Sequence, residues 1–239
     1  MSFYGVDWTY IVLVLPAVIF SLWASASVNS TFKKYANQRP LCGMTGADAA
    51  RRVLDANGLY NVRIEHIAGN LTDHYDPRDN VIRLSDAVYA NASTAAIGVA
   101  AHEAGHAIQH AVGYAPIRIR SAIVPLTNVG SRLSIPLILI GLLLATVSAC
   151  GDLGMMLAYA GVACFSLCVV FQLVTLPTEF NASNRALAAI QDCGLLNRDE
   201  LAGSRKVLRA AAMTYVAALA VSVMQLLRLL VIVSGRRRN

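Results

Sequence analysis

Four uncharged or nearly uncharged stretches punctuate the chain. They are Trp8–Val28, Ile135–Ala149, Met155–Leu176 and Ala211–Val233, the last interrupted by Arg228. A helix that spans a bilayer needs about 20 mostly apolar residues. The first and third runs meet this directly, and the second reaches it by drawing in the turn from Arg132 to Ser134. The first run is longer than the core of a secretory signal, about 7–15 residues, and lacks a basic leader, so it is expected to be a retained anchor. Only Cys150 and Gly151-Asp152-Leu153-Gly154 separate the second run from the third, which predicts a helical hairpin across the membrane. The fourth run spans or lies on the membrane, with Arg228 snorkelling to the interface or facing a polar cavity. The expected spans are therefore residues 8–28, 135–150, 155–176 and, as a transmembrane or membrane-associated segment, 211–233.

Two polar segments lie between these runs. In residues 29–134, Thr45 caps a helix with Asp48 in its first turn, and Asn57-Gly58 stops it. Asn61–Ile67 alternates like a half-buried strand, and Val81–Leu84 reads as a second short strand. The two pair as a hairpin or small sheet around the polar loop Asn70–Asn80. A helix follows from Ser93 or Thr94 to Val112. In residues 177–210, a new helix is expected over Phe180–Cys193, ended by Gly194. Asn197 and Glu200 then form a capping box that opens a helix running into the fourth apolar run.

Composition agrees with a membrane setting. The chain is 56% hydrophobic and 14% charged, with a mean hydropathy of +0.53, against about 25% charged residues in soluble domains. The net charge of +6 does not point to nucleic acid, because of where the cations lie. Of 20 Lys and Arg, 11 fall between the first and second runs and 5 between the third and fourth, with none in residues 1–7 or 151–154. Cationic loops stay in the cytoplasm, which places both polar segments there. Four spans would put Arg236-Arg237-Arg238 on the other side, in conflict with the same rule. The five cysteines show no paired spacing and read as free thiols.

The chemistry is carried by His102-Glu103-Ala104-Gly105-His106, in the middle of the predicted helix 93–112. Histidines at i and i+4 project from one face, so both imidazoles reach one ion. Zinc binds imidazole nitrogen readily, and a catalytic site keeps a position for water. Glu103 is placed to accept that water's proton. The surrounding helix is Ala, Gly and Ile, where two histidines and a glutamate are costly without a metal or partners. His110 continues the i+4 series but lies eight residues from His102, about 12 Å along the axis. It therefore belongs to the surroundings of the site or to the helix surface. A third ligand comes from elsewhere. Glu179 is one candidate, directly after the third apolar run; His66, His74, Asp73 and Asp76 are the others, and the spacing alone does not choose between them. His74, Tyr75 and Tyr114 are candidate donors to a developing oxyanion. Arg185 is a candidate for binding a substrate carbonyl or carboxylate. The segment Asn80–Leu84 is a candidate edge for an extended substrate.

Four blocks together resemble the YugP-like neutral zinc metallopeptidases of bacterial membranes: Leu71-Thr-Asp-His-Tyr-Asp-Pro-Arg78, Leu84-Ser85, Ala96–Gln109 with its His-Glu-x-x-His, and Leu176-Pro-x-Glu179-Phe-x-Ala-Ser183. The resemblance covers nearly the whole chain and the order of its apolar runs. More distantly, the layout is similar to HtpX-type membrane proteases and CAAX prenyl proteases. The resemblance implies that Glu179 is the third zinc ligand. The chain departs from the family pattern at Asn181, where Asp is common, and from the HtpX-like pattern at Ser183, where an Asp would orient a zinc-bound histidine.

The expectation is a mainly α-helical membrane protein, with three to four transmembrane helices and a zincin-like α+β metallopeptidase domain. That domain comprises a catalytic segment, 29–134, and a third-ligand helical segment, 177–210. The expected activity is hydrolysis of peptide bonds in membrane or membrane-proximal proteins by Glu103-assisted attack of zinc-bound water. One Zn2+ per chain is expected, held by His102, His106 and Glu179. The expected partners are a protein or peptide substrate and the lipid bilayer, with no nucleic acid. The expected location is the bacterial inner membrane, multi-pass, with the active site facing the cytoplasm. Three other readings remain. One is a scaffold or pseudo-protease with structural zinc. Another is a site-2-type protease, which fits poorly because Asp152 is followed by Leu153 instead of Gly. The last is a transporter subunit, suggested by Arg228.

Overall fold

The computed structural model describes residues 7–147 and 150–236. Among the described residues, six helices and three short strands follow in the order α1 (Leu15–Ala36), α2 (Gly46–Ala56), β1 (Arg63–Ile67), β2 (His74–Asp76), β3 (Val81–Ser85), α3 (Thr94–Ala111), α4 (Ala115–Leu144), α5 (Gly151–Asp192) and α6 (Arg198–Arg236). A wide helical turn, Tyr10–Val14, leads into α1. The protein is thus mainly helical. Four of its helices, Tyr10–Ala36, Ala115–Leu144, Gly151–Asp192 and Arg198–Gly235, are long and apolar enough to cross a membrane.

The chain divides into two compact units. One gathers residues up to Trp23, Ile119–Leu176 and from Tyr215 onward. It holds the apolar parts of the long helices, around a core of Ile138, Ala158, Val162, Leu229 and Val233. Arg228 does not face an empty cavity here. Its guanidinium pairs with Asp7, with Nε donating at 3.1 Å, and it lies over the Tyr10 ring at 5.5 Å. The charge that interrupts the fourth apolar run is therefore neutralised by a partner near the start of the first. Arg237 and Arg238 lie outside the described residues.

The other unit comprises Ala24–Arg118 and Pro177–Thr214. The expected capping devices are present in it. Thr45 and Asp48 close a reciprocal capping box on α2. Asn197 accepts from the Glu200 backbone at 2.9 Å, while Glu200 accepts from the Asn197 backbone at 2.9 Å. The second Glu200 oxygen accepts from Leu41 N at 2.8 Å, which satisfies a carboxylate that is almost fully buried. Gly194 ends α5 with φ +62°, a conformation that costs glycine nothing.

Three sequence expectations change. The polar loop contains a strand of its own, β2, and the sheet order is β1-β3-β2. β1 runs parallel to β3, so these two do not form a hairpin; β2 is the antiparallel neighbour. What makes a strand of so polar a stretch is its side chains. Asp73 accepts from Ser85 N at 2.7 Å and from Ser85 Oγ at 2.9 Å, and Asp76 accepts from Arg83 at 3.0 Å. Burial pushes the Asp73 carboxyl up, against the pull of the Ser85 hydrogen bonds. Finally, α5 does not restart after the third apolar run. It is one helix of 42 residues that passes through Pro177, which forfeits one backbone hydrogen bond.

The centre of this unit is α3. Its residues Ala95, Ala96, Ala100, Ala101 and Ala104 are fully buried. Gly105 has no room for a side chain, since a Cβ there would lie 2.6 Å from the Ala182 carbonyl oxygen of α5. Gly105→Val therefore has to push α5 away from α3. The expected result is a protein destabilised by about 1–3 kcal/mol, the usual range for overpacking, and a lowered zinc content. Thermal denaturation and metal analysis of the purified variant check both.

Candidate metal centre

His102 and His106 sit one turn apart on α3, with ring centroids 4.7 Å apart and planes at 85°. The Glu179 carboxylate of α5 lies between them. Its Oε2 is 3.2 Å from His102 Nε2 and 3.5 Å from His106 Nε2. One ligand atom from each of the three residues falls within 4.8 Å of the others. All three side chains are largely withdrawn from solvent; Glu179 keeps 2% of its surface exposed and His106 9%.

The outer nitrogens of both rings are held as well. His102 Nδ1 is 3.1 Å from Ser183 Oγ, one turn beyond Glu179 on α5. His106 Nδ1 is 3.0 Å from Gln109 Oε1. The Gln109 amide nitrogen donates to Thr178 O at 2.8 Å and to Asn181 Oδ1 at 3.0 Å, and Asn181 Oδ1 also accepts from Arg185 Nε at 2.8 Å. That pattern makes the Gln109 oxygen an acceptor, so His106 carries its proton on Nδ1 and turns the Nε2 lone pair inward. Sequence reasoning missed Gln109. The signal available in the sequence was a glutamine three residues after His106, on the same face of a helix otherwise rich in Ala, Gly and Ile.

Glu103 is also buried, at 7% exposure, but no hydrogen bond holds its carboxylate among the described residues. It is near enough to His106 to favour the charged imidazole. The alternative ligands are committed elsewhere. His66 pairs with Asp86 at 2.7 Å, His74 Nδ1 is 2.9 Å from Thr72 O, Asp73 caps Ser85, and Asp76 holds Arg83. Tyr75 donates to Asn80 at 3.0 Å, and its ring lies 5.5 Å from that of His110. Tyr114 follows the end of α3, where its backbone N–H closes the helix on Gln109 O at 2.9 Å. β3 is the central strand with both edges paired, so residues 80–84 are not a free edge. The free edges belong to β1 and β2.

Two imidazole nitrogens and a carboxylate oxygen are a donor set that zinc takes in catalytic sites. With both outer ring nitrogens anchored and both inner ones converging on one carboxylate oxygen, the residues fit a zinc ion. The chain matches the model of the family described as "Putative neutral zinc metallopeptidase" over residues 10–234. The chain belongs to this family. It is 46% identical over 231 residues to "Putative membrane protease YugP" of Bacillus subtilis (strain 168), covering 96% of this chain and 99% of that protein. No solved structure matches the chain. Zinc is thus the metal that family membership implies, and protein or peptide the substrate class.

Electrostatics set a pH dependence for the metal-free form of this family member. Burial opposes a charged His106, but the hydrogen bond and charge of Glu179, with Glu103 beside it, raise its pKa above the usual value. Glu179 lies beyond the third apolar run. Despite its burial, the two imidazoles hold its carboxyl well below the usual range. The raised histidine stabilises the fold below about pH 6.5, and that contribution fades as pH rises through its folded pKa. The lowered carboxyl stabilises above about pH 4.5, and that contribution fades as pH falls through its folded pKa. Metal-free protein should therefore be most stable in mildly acidic buffer. Zinc, which displaces the imidazole proton, should bind more tightly as pH rises toward neutrality. Thermal melts with and without zinc across pH 4–8 check this. A zinc-induced shift that is the same at every pH would contradict it.

Proposed function

We propose that this protein is a membrane-bound zinc peptidase that hydrolyses peptide bonds in membrane or membrane-proximal proteins at the cytoplasmic face. His102, His106 and Glu179 hold one zinc ion per chain, and Glu103 is the general base. The observation that supports this most strongly is the convergence of three ligand atoms next to Glu103, whose carboxylate accepts no hydrogen bond among the described residues.

Zinc in such a site supplies Lewis acidity, polarising the scissile carbonyl and acidifying water. The chain's own residues do the rest. Glu103 takes a proton from the attacking water as its oxygen joins the carbonyl carbon. It then gives that proton to the amine nitrogen as the C–N bond breaks, so the base is regenerated. Ser183 and Gln109 hold the two imidazoles in register. At Ser183 a neutral hydroxyl stands where the distantly similar HtpX-type pattern has an Asp, so His102 is oriented without an added negative charge. Arg185 is engaged by Asn181 and braces the Gln109 amide through it.

The orientation proposal is the bacterial inner membrane with the metal site inside, and it rests on cation placement. The loops 29–134 and 177–210 carry 16 of the 20 Lys and Arg. The Arg228–Asp7 pair joins the far part of α6 to the residues that precede α1. It supports a fourth crossing, made by α6.

Glu103→Gln should bind zinc as the wild type does and lose at least a hundredfold in turnover, in the range expected for a general base. Glu179→Ala should bind zinc weakly or not at all. Metal analysis and cleavage of a substrate, found by comparing the membrane proteomes of cells carrying wild-type and Glu103→Gln protein, check both. Full zinc occupancy in Glu179→Ala would refute the ligand assignment. A structural zinc would be the better reading if the membrane proteomes of wild-type and Glu103→Gln cells showed no difference.

A further inference from the structure

A groove runs between the first part of α6 and the last turns of α5. One section, about 590 Å3, is lined by Phe180, Leu187 and Leu208 together with Arg205 and Arg209. A second section, about 620 Å3, adjoins it through Gln191 and Arg205 and adds Arg198. Arg198, Arg205 and Arg209 are spaced seven and four residues apart, so they share one face of α6. All three are exposed, and none has an acidic partner among the described residues. The buried acid of this helix start, Glu200, is already engaged by Asn197 and Leu41.

The place of these residues along the chain says what such a groove meets. Phe180 stands four residues beyond the end of the third apolar run, and Arg209 two residues before the start of the fourth. Both walls are therefore the last turns of helices that are about to enter hydrocarbon, on the side where the cations collect. That is the depth of lipid phosphates. Phe180, 41% exposed, and the half-buried Leu187 present apolar surface beside the guanidinium groups. This pairing suits a molecule with a phosphate and an acyl chain better than a small ion or a wholly polar peptide. Arginine is the side chain suited to phosphate, because its planar fork matches the oxygens.

We propose that the α5–α6 groove binds the phosphate headgroup of an anionic phospholipid, with Arg205 and Arg209 on the phosphate and Phe180 and Leu187 on the first part of its acyl chain. The same groove is lined by Ser183, whose hydroxyl faces His102, so the bound lipid lies directly behind one histidine of the metal site. The proposal rests on the membrane reading of runs 155–176 and 211–233 and is independent of peptidase chemistry.

The test uses the full-length protein in a neutral detergent. Binding of phosphatidylglycerol, of phosphatidylcholine with the same chains and of inorganic phosphate is followed by native mass spectrometry and by thermal shift. The wild type should retain phosphatidylglycerol and gain thermal stability from it, with little response to the other two. Arg205→Gln/Arg209→Gln should bind phosphatidylglycerol on the order of thirtyfold more weakly, at about a factor of five for each cation. The Arg205→Lys/Arg209→Lys control should keep most of the charge-dependent binding, and Arg205→Gln alone, expected to bind about fivefold more weakly, stands in if the glutamine pair fails to fold. Glu103→Gln should bind the lipid as the wild type does, so loss of peptidase activity does not touch this result. Equal responses to phosphatidylcholine or to phosphate would overturn the proposal. So would undiminished phosphatidylglycerol binding in the glutamine pair, or displacement of the lipid by an acidic peptide.

Discussion

Glu179 reaches His102 and His106 because α3 and α5 approach to backbone distance at Gly105, where a Cβ would lie 2.6 Å from the Ala182 carbonyl oxygen. The rest of the unit follows from that approach. The alanines of α3 let its neighbours close on it without a void. Once the helices are so close, the polar side chains between them must find partners in each other. Ser183, Gln109, Asn181 and Thr178 do so, and the outcome is two imidazoles turned the same way. In the absence of metal, the cost of burying Glu179 is offset by the adjacent imidazoles.

A single helix carries both the third apolar run and, beyond Pro177, the ligand. The helix that supplies the third ligand is therefore continuous in sequence with an apolar run long enough to cross a membrane. The basic turns of α6 and the aromatic Phe180 occupy the same stretch of sequence.

Much of this was legible beforehand, for reasons that differ by element. The apolar runs and the His-Glu-x-x-His pair are properties of local spacing, and local spacing survives folding. The capping boxes at Thr45 and Asn197 are equally local, and both were found where expected. Glu179 was one of several choices until the resemblance to a known family singled it out, because 73 residues separate it from His106 and no periodicity spans that gap. The parallel pairing of β1 with β3 was not legible, since alternation reports a strand and not its partner. β2 was hidden because it is only three residues long and lies between turn-formers in Asn70–Asn80, held to β3 through Asp73 and Asp76. The passage of α5 through Pro177 was misread as a helix start, as proline rules drawn from soluble helices are relaxed where membrane helices run on.

The central claim is that two histidines and one carboxylate, supplied by α3 and α5, bind a single zinc. X-ray absorption at the zinc edge of purified, zinc-loaded protein measures this directly. The account predicts one zinc per chain with two imidazole nitrogens at about 2.0–2.1 Å, oxygen ligands at about 2.0–2.2 Å and no sulfur. A sulfur shell at about 2.3 Å, which would mean coordination by cysteine, or a preparation that retains no zinc at neutral pH, would contradict it.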